Sequence, residues 1–147
     1  MIDAFNLRPF EETGFLSVRD SRLHLENVDL VEMAEQFGTP LFVYSRARIR
    51  DNARTLQRTF RRHLPKSNVC FASKACANLS VLALIEQEGL DLEVNSGGEL
   101  LKAKQAGFDA HRLVFNGVAK SVTEIEERKR FHGVNAGSLH YFHVSLL

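Results

Sequence analysis

Lys74 is the residue whose type and setting could do chemistry. It lies in the run Val69-Cys70-Phe71-Ala72-Ser73-Lys74-Ala75-Cys76-Ala77-Asn78. The run opens with five apolar or small residues led by a β-branched one, which predicts a strand. Side chains alternate along a strand, so Cys70, Ala72 and Lys74 share one face and Val69, Phe71 and Ser73 the other. This places a lysine at the C-terminal end of a buried strand, among small neighbours. Burial there disfavours the charged ammonium and leaves a nucleophilic amine near neutral pH. Small neighbours leave room for a bulky partner. The chemistry that fits is a Schiff base, with a carbonyl substrate or with pyridoxal phosphate. The plain alternative is a strand-end lysine that reaches out to water.

The elements that must position this lysine follow a regular order. Residues 1–12 read as irregular. Phe15-Leu16-Ser17-Val18 and Leu23-His24-Leu25 flank a polar turn and predict a β-hairpin. Asp29 predicts the cap of a helix from Leu30 to Phe37, stopped by Gly38. Pro40 forbids more helix, and Leu41 to Tyr44 predicts a short strand. Ser45 caps a long helix from Arg46 to about Leu64, with Ile49, Ala53, Leu56, Phe60 and Leu64 on one stripe. Its other face is rich in arginine. A basic helix can grip phosphate backbones. Here no aromatics interleave with the arginines and the net charge is +1, so a solvated face is the better account. Pro65 ends that helix before the lysine strand.

Beyond Lys74 the pattern is strictly alternating. Asn78 caps a helix to about Glu88, and Leu92 to Asn95 is a strand. Ser96-Gly97-Gly98-Glu99 reads as a capping box for a helix to Ala106. Leu113 to Asn116 is a third strand, and Ser121-Val122-Thr123-Glu124 opens a helix to about Arg130. Gly133 to Leu139 begins a fourth strand. Alternating strands and helices with short turns predict a parallel sheet with crossovers.

Composition bounds the rest. The chain has 147 residues, 44% hydrophobic and 25% charged. That is enough for a core but short of the roughly 250 residues of a closed eight-stranded α/β barrel. No apolar run reaches the ~20 residues of a membrane span. The start, Met1 to Pro9, does not read as a secretory signal. Cys70 and Cys76 match no zinc or redox spacing and read as free thiols. The sequence carries no internal repeat.

Lys74-Ala75-x-x-Asn78-Leu79-x-Val81-Leu82 resembles the lysine motif of the pyridoxal-phosphate decarboxylases built on the alanine-racemase-type (fold-type III) barrel, the ornithine, diaminopimelate and arginine decarboxylase family. Gly89-Leu90-Asp91-Leu92-Glu93-Val94-Asn95-Ser96-Gly97-Gly98-Glu99-Leu100, closed by Ala106-Gly107-Phe108, agrees with it. So do Val114-Phe115-Asn116-Gly117-Val118-Ala119-Lys120-Ser121 and the opening Gly38-Thr39-Pro40-Leu41-Phe42-Val43-Tyr44-Ser45. The diaminopimelate decarboxylase branch is the most similar, in Leu23-His24 to Ser45 and in Ser96 to Glu99.

The resemblance implies an α/β fold containing about half of a pyridoxal-phosphate-binding (β/α)8 TIM barrel, in residues 45–139. Residues 1–44 would belong to the β-rich domain of the full enzyme, and residues 140–147 form an unmatched tail. It implies decarboxylation of an amino acid in lysine biosynthesis, a cytoplasmic homodimer in the full-length family, a small-molecule substrate, and neither nucleic acid, membrane nor metal as partner. In such an enzyme Lys74 holds pyridoxal phosphate as an imine until the amino acid displaces it. The ring then accepts the electrons left by departing carbon dioxide, and Lys74 returns a proton.

Glu93, Ser96 and Glu99 are the other cofactor-binding candidates. Glu93 shares a strand face with Asp91 and Asn95, toward the barrel interior or mouth, where the family usually has an aspartate. Capping alone would account for Ser96 and Glu99. The stacking histidine, the glycine-rich phosphate loop with its arginine, the acid at the pyridine nitrogen, and the cysteine and tyrosine of the dimeric site are not matched here. His140 and His143 lie in the tail and take no such role. The chain alone is therefore expected to be inactive. The alternatives are a decarboxylase of another amino acid or of siderophore assembly, a racemase, or a non-catalytic truncated remnant. Asn78-Leu79-Ser80, where a racemase would carry an Ala-Tyr-Gly-His type run, counts against the racemase.

Overall fold

Three apolar strands, each followed by a capped helix, build the parallel sheet that the alternation predicts. Strands β4 (Cys70–Ala72), β5 (Asp91–Val94), β6 (Leu113–Phe115) and β7 (Asn135–Ala136) lie side by side in that order, every neighbouring pair parallel. The computed structural model describes residues 14–117, 121–130 and 135–136. The chain divides into two compact units, Met1–Arg48 and Ile49–Leu147.

In the first unit, β1 (Leu16–Arg19) and β2 (Arg22–Leu25) form the expected antiparallel hairpin. Asp20 and Ser21 turn it with φ of 49° and 61°, the paired left-handed geometry that matches strand twist. Strand β3 (Val28–Asp29) pairs with β2 and was not anticipated, because two residues carry no periodicity. Helix α1 (Leu30–Phe37) is capped by the Asp29 carboxylate, which accepts from the backbone of Val31 and Glu32. The strand expected at Leu41 to Tyr44 does not form: the segment is irregular. Its apolar residues carry β propensity, but a strand requires a ladder partner, and none is present among the described residues.

Helix α2 (Arg46–His63) starts as predicted, with Ser45 Oγ accepting from Arg48 N–H at 2.9 Å. Only the first part of its apolar stripe is deeply used. Ile49 and Ala53 are buried, whereas Leu64 is exposed.

Against one face of the parallel sheet pack α3 (Leu79–Gln87) and α4 (Gly97–Gln105), and α5 (Val122–Arg130) lies beside α4. Phe71, Leu92, Val94, Leu113 and Phe115 join Val81, Leu82, Ile85, Leu100 and Ala103 in one buried core. Each of these side chains except Ala103 contributes about 1.5–3 kcal/mol on burial. The alternate residues make the other face. There Ala72, Glu93 and Val114 stand in register across β4, β5 and β6. At the N-terminal ends of the strands Arg112 acts as a tie. It donates to the Glu86 carboxylate at 2.8 Å and to the Leu90 carbonyl, and it lies 3.5 Å from Asp91. The basic face of α2 is partly engaged: Arg54 meets the Glu88 carboxylate through two bonds of 2.6 and 3.1 Å. The opposite, C-terminal strand ends collect the turns at 73–75, 95–96 and 116–117, the end where α/β barrels carry their chemistry.

Candidate functional site

The turn after β4 carries Lys74. Ala75 N–H closes it onto the Ala72 carbonyl at 3.0 Å, and Ser73 N–H bonds the Glu93 carbonyl at 2.9 Å. The lysine therefore sits one residue beyond the last cross-strand bond, beside the end of β5. Its side chain is exposed. This corrects the expectation of a buried lysine. The strand ladder stops at Ala72 and the chain turns, so the period of two no longer governs residue 74. The buried member of the turn is Ser73, with no exposed surface.

Glu93 lies on the inner strand face as its register predicts, and it is only 2% exposed. Asn116, one position past β6, donates its side-chain amide to the Glu93 carboxylate at 2.9 Å. Cys70 shares that face. Burial pushes its thiol up to about 12, with the nearby charges of Asp91 and Glu93 adding to the shift.

Ser96 caps α4, its Oγ accepting from Glu99 N–H at 3.3 Å. Glu99 does not close the reciprocal box onto Ser96. Its carboxylate instead accepts from Asn95 N–H at 2.9 Å and from the Ser73 hydroxyl. The second box does close: Glu124 accepts from Ser121 N–H at 2.9 Å, and Ser121 Oγ accepts from Glu124 N–H at 3.2 Å. The other Glu124 oxygen accepts from Gly97 N–H at 3.1 Å, tying the start of α5 to the start of α4.

The four sequence candidates thus occupy one end of the sheet in different settings. Lys74 is open to solvent, Glu93 is buried on the inner face, and Ser96 and Glu99 belong to the helix start. Ser73, Asn116 and Glu124 were missed. Asn116 was findable: it holds the position after β6 that Asn95 holds after β5. Glu124 was not, because its second bond joins residues 27 apart in sequence.

An exposed primary amine beside small side chains suits condensation with an aldehyde. The donor set fits that end of pyridoxal phosphate. Among the described residues in the loops after β4, β5 and β6, Lys74 is the sole cation; Lys120, in the loop after β6, lies outside the described residues.

Comparison with known proteins points to one family. Residues 47–140 match the family model described as pyridoxal-dependent decarboxylase, pyridoxal binding domain. The chain is 47% identical over 105 residues to diaminopimelate decarboxylase of Bacillus methanolicus, covering 70% of this chain and 24% of that protein. It is 41% identical over 114 residues to the Haemophilus influenzae enzyme of the same name, covering 76% and 26%. The crystal structure of diaminopimelate decarboxylase from M. jannaschii in complex with L-lysine superposes with a TM-score of 0.72 at 34% identity, over 78% of this chain and 27% of that one. The chain spans about a quarter of the length of the curated relatives it matches.

Proposed function

The chain belongs to the pyridoxal-dependent decarboxylases, in their pyridoxal-binding domain, and from that premise we propose that it is the N-terminal portion of an enzyme that decarboxylates diaminopimelate in lysine biosynthesis. The observation that carries this reading is the position of Lys74, an exposed amine at the C-terminal end of the first parallel strand, adjoining the end of the second.

Pyridoxal phosphate, when bound, supplies an electron sink for bond breaking at an amino-acid α-carbon. Lys74 Nζ would hold the cofactor at its aldehyde carbon, and the same amine would be placed to hand a proton back. Glu93, with its carboxylate fixed by Asn116, presents a negative group on the inner strand face. Ser96 and Glu99 shape the mouth by setting the start of α4. Residues 45–139 serve as the first half of the cofactor barrel, and residues 1–44 as part of a β-rich domain. The complete enzyme works in the cytoplasm as a homodimer on a small amino-acid substrate, without nucleic acid or membrane. Among the described residues no helix is long and apolar enough to cross a membrane.

The test is an absorbance titration of the chain with pyridoxal phosphate, then borohydride reduction and peptide mapping. Label concentrated at Lys74, and lost in Lys74→Ala, supports the reading. Label spread evenly over exposed lysines such as Lys66 and Lys102 would remove it.

A further inference from the structure

We infer that Glu99 is a positioning residue for Lys74, acting through Ser73; the purpose of this clamp rests on the function proposed above. Ser73 has no exposed surface, so its hydroxyl needs a partner inside the protein. That partner is the Glu99 carboxylate. The same carboxylate oxygen accepts from Asn95 N–H at 2.9 Å. One oxygen thereby joins the residue before Lys74, the end of β5 and the first turn of α4.

The backbone of Ser73 is fixed as well, donating to the Glu93 carbonyl at 2.9 Å. On the other side Ala75 N–H is held by the Ala72 carbonyl at 3.0 Å. The Lys74 Cα is thus pinned from both flanks, and only its side-chain torsions remain free. Capping does not explain this arrangement. The cap is made by Ser96 Oγ and Glu99 N–H, and a glutamate serving the cap alone would return to Ser96 N–H rather than reach Asn95 and Ser73.

The experiment uses the whole chain and its S73A, E99A, E99Q and S73A/E99A variants. Amide hydrogen exchange is followed by mass spectrometry over residues 73–76, and the Lys74 share of borohydride-fixed pyridoxal phosphate is measured against Lys66 as internal reference. S73A and E99A each speed exchange over 73–76 about tenfold, the scale of losing a hydrogen bond to a charged group. Each also lowers the Lys74 share. E99Q stays closer to wild type than E99A in both readouts, because its amide oxygen still accepts both bonds. The double variant is no worse than E99A.

S73A lies outside the helix, so it remains decisive even where E99A fails to fold. Exchange and label in S73A at wild-type values would overturn the clamp and leave Glu99 as a cap. A wild-type chain without Lys74 preference would instead overturn the cofactor reading, while the exchange measurements would still decide the clamp.

Discussion

Asn116 and Glu93 meet across two strand ends, the amide of one 2.9 Å from the buried carboxylate of the other. The sequence separates them by 23 residues, and the parallel register brings them together. A buried carboxylate that loses a hydrogen-bond donor bears a cost of desolvation. Asn116→Ala is expected to lower stability by about 1–3 kcal/mol, measured by urea unfolding. Asn116→Asp should be worse at neutral pH, because it faces Glu93 with a like charge. Equal stability of N116A and N116D at neutral pH would show that this pair is not close in solution.

Gly117 follows directly and is constrained by geometry rather than charge. Its φ is +119°, and a Cβ there would stand 3.0 Å from the Asn95 carbonyl oxygen. Backbone cannot yield as a side chain can. Gly117→Ala should therefore cost about 1–3 kcal/mol, the scale of a strained backbone position. Wild-type midpoints in a urea titration of G117A would count against the close approach of the β5 and β6 ends.

The sequence showed the repeating elements of this fold well and the loops that finish the site less well. Helix α1 starts at Leu30 and ends at Phe37, as Asp29 and Gly38 imply. The strands around Phe71, Leu92 and Leu113 follow from apolar runs between capped helices. Such features are local and repeat along the chain. The setting of Lys74 failed because alternation was carried two residues past the last strand residue. Where a ladder stops depends on the partner strand, which residues 69–78 alone do not specify. Glu99 misled differently: the Ser96-to-Glu99 spacing names the cap but not which nearby donors the carboxylate will prefer. The fourth strand was read broadly from Gly133 to Leu139; Asn135 and Ala136 form β7, and the remainder lies outside the described residues, as do His140 and His143.

The two cysteines should separate cleanly by reactivity. Cys70 is buried with its thiol pushed up to about 12, while Cys76 is half-buried in the loop after Lys74. Thiolate is the reactive form. At pH 8 one thiol should react with a disulfide reagent in the native chain, and Cys76→Ser should abolish that phase. The Cys70 pKa is raised by folding, so its contribution to stability is intact below the unfolded thiol value near 8.5 and fades as pH climbs toward the folded one. Fast modification of Cys70 in native C76S would contradict its burial.

Asp29 predicts the opposite limb of the pH profile. Its carboxyl is held below the usual range, chiefly by the Arg22 guanidinium at 2.7 Å, aided by the backbone of Glu32 and Val31. A lowered folded value gives stability that is present above the unfolded pKa near 3.9 and is lost as pH falls through the folded one. Asp29→Asn keeps a capping oxygen but cannot titrate. The acid limb of the hairpin-and-helix unit should flatten in D29N, followed by circular dichroism from pH 5 to pH 2. An unchanged acid limb would show that Asp29 is not the group responsible.

The last expectation separates holding a cofactor from using it. Attachment at Lys74 needs one amine and space, which the turn after β4 supplies. Decarboxylation needs more: a phosphate anchored by amides or cations, a ring held against the breaking bond, and a site that orients the carboxylate. Among the described residues of the three strand-end loops, Lys74 is the sole cation, and it is occupied once attached. The glycine-rich phosphate loop and arginine expected of the family are not matched in this sequence, so the 147-residue chain should bind pyridoxal phosphate weakly and release no measurable carbon dioxide from diaminopimelate. Lys74→Arg should remove the covalent complex while retaining the positive charge, because a guanidinium is not a nucleophile at this pH. Radiometric carbon-dioxide capture tests the first statement, and borohydride trapping the second. Robust Lys74-dependent turnover by the purified chain would mean that these 147 residues supply the phosphate and substrate contacts themselves.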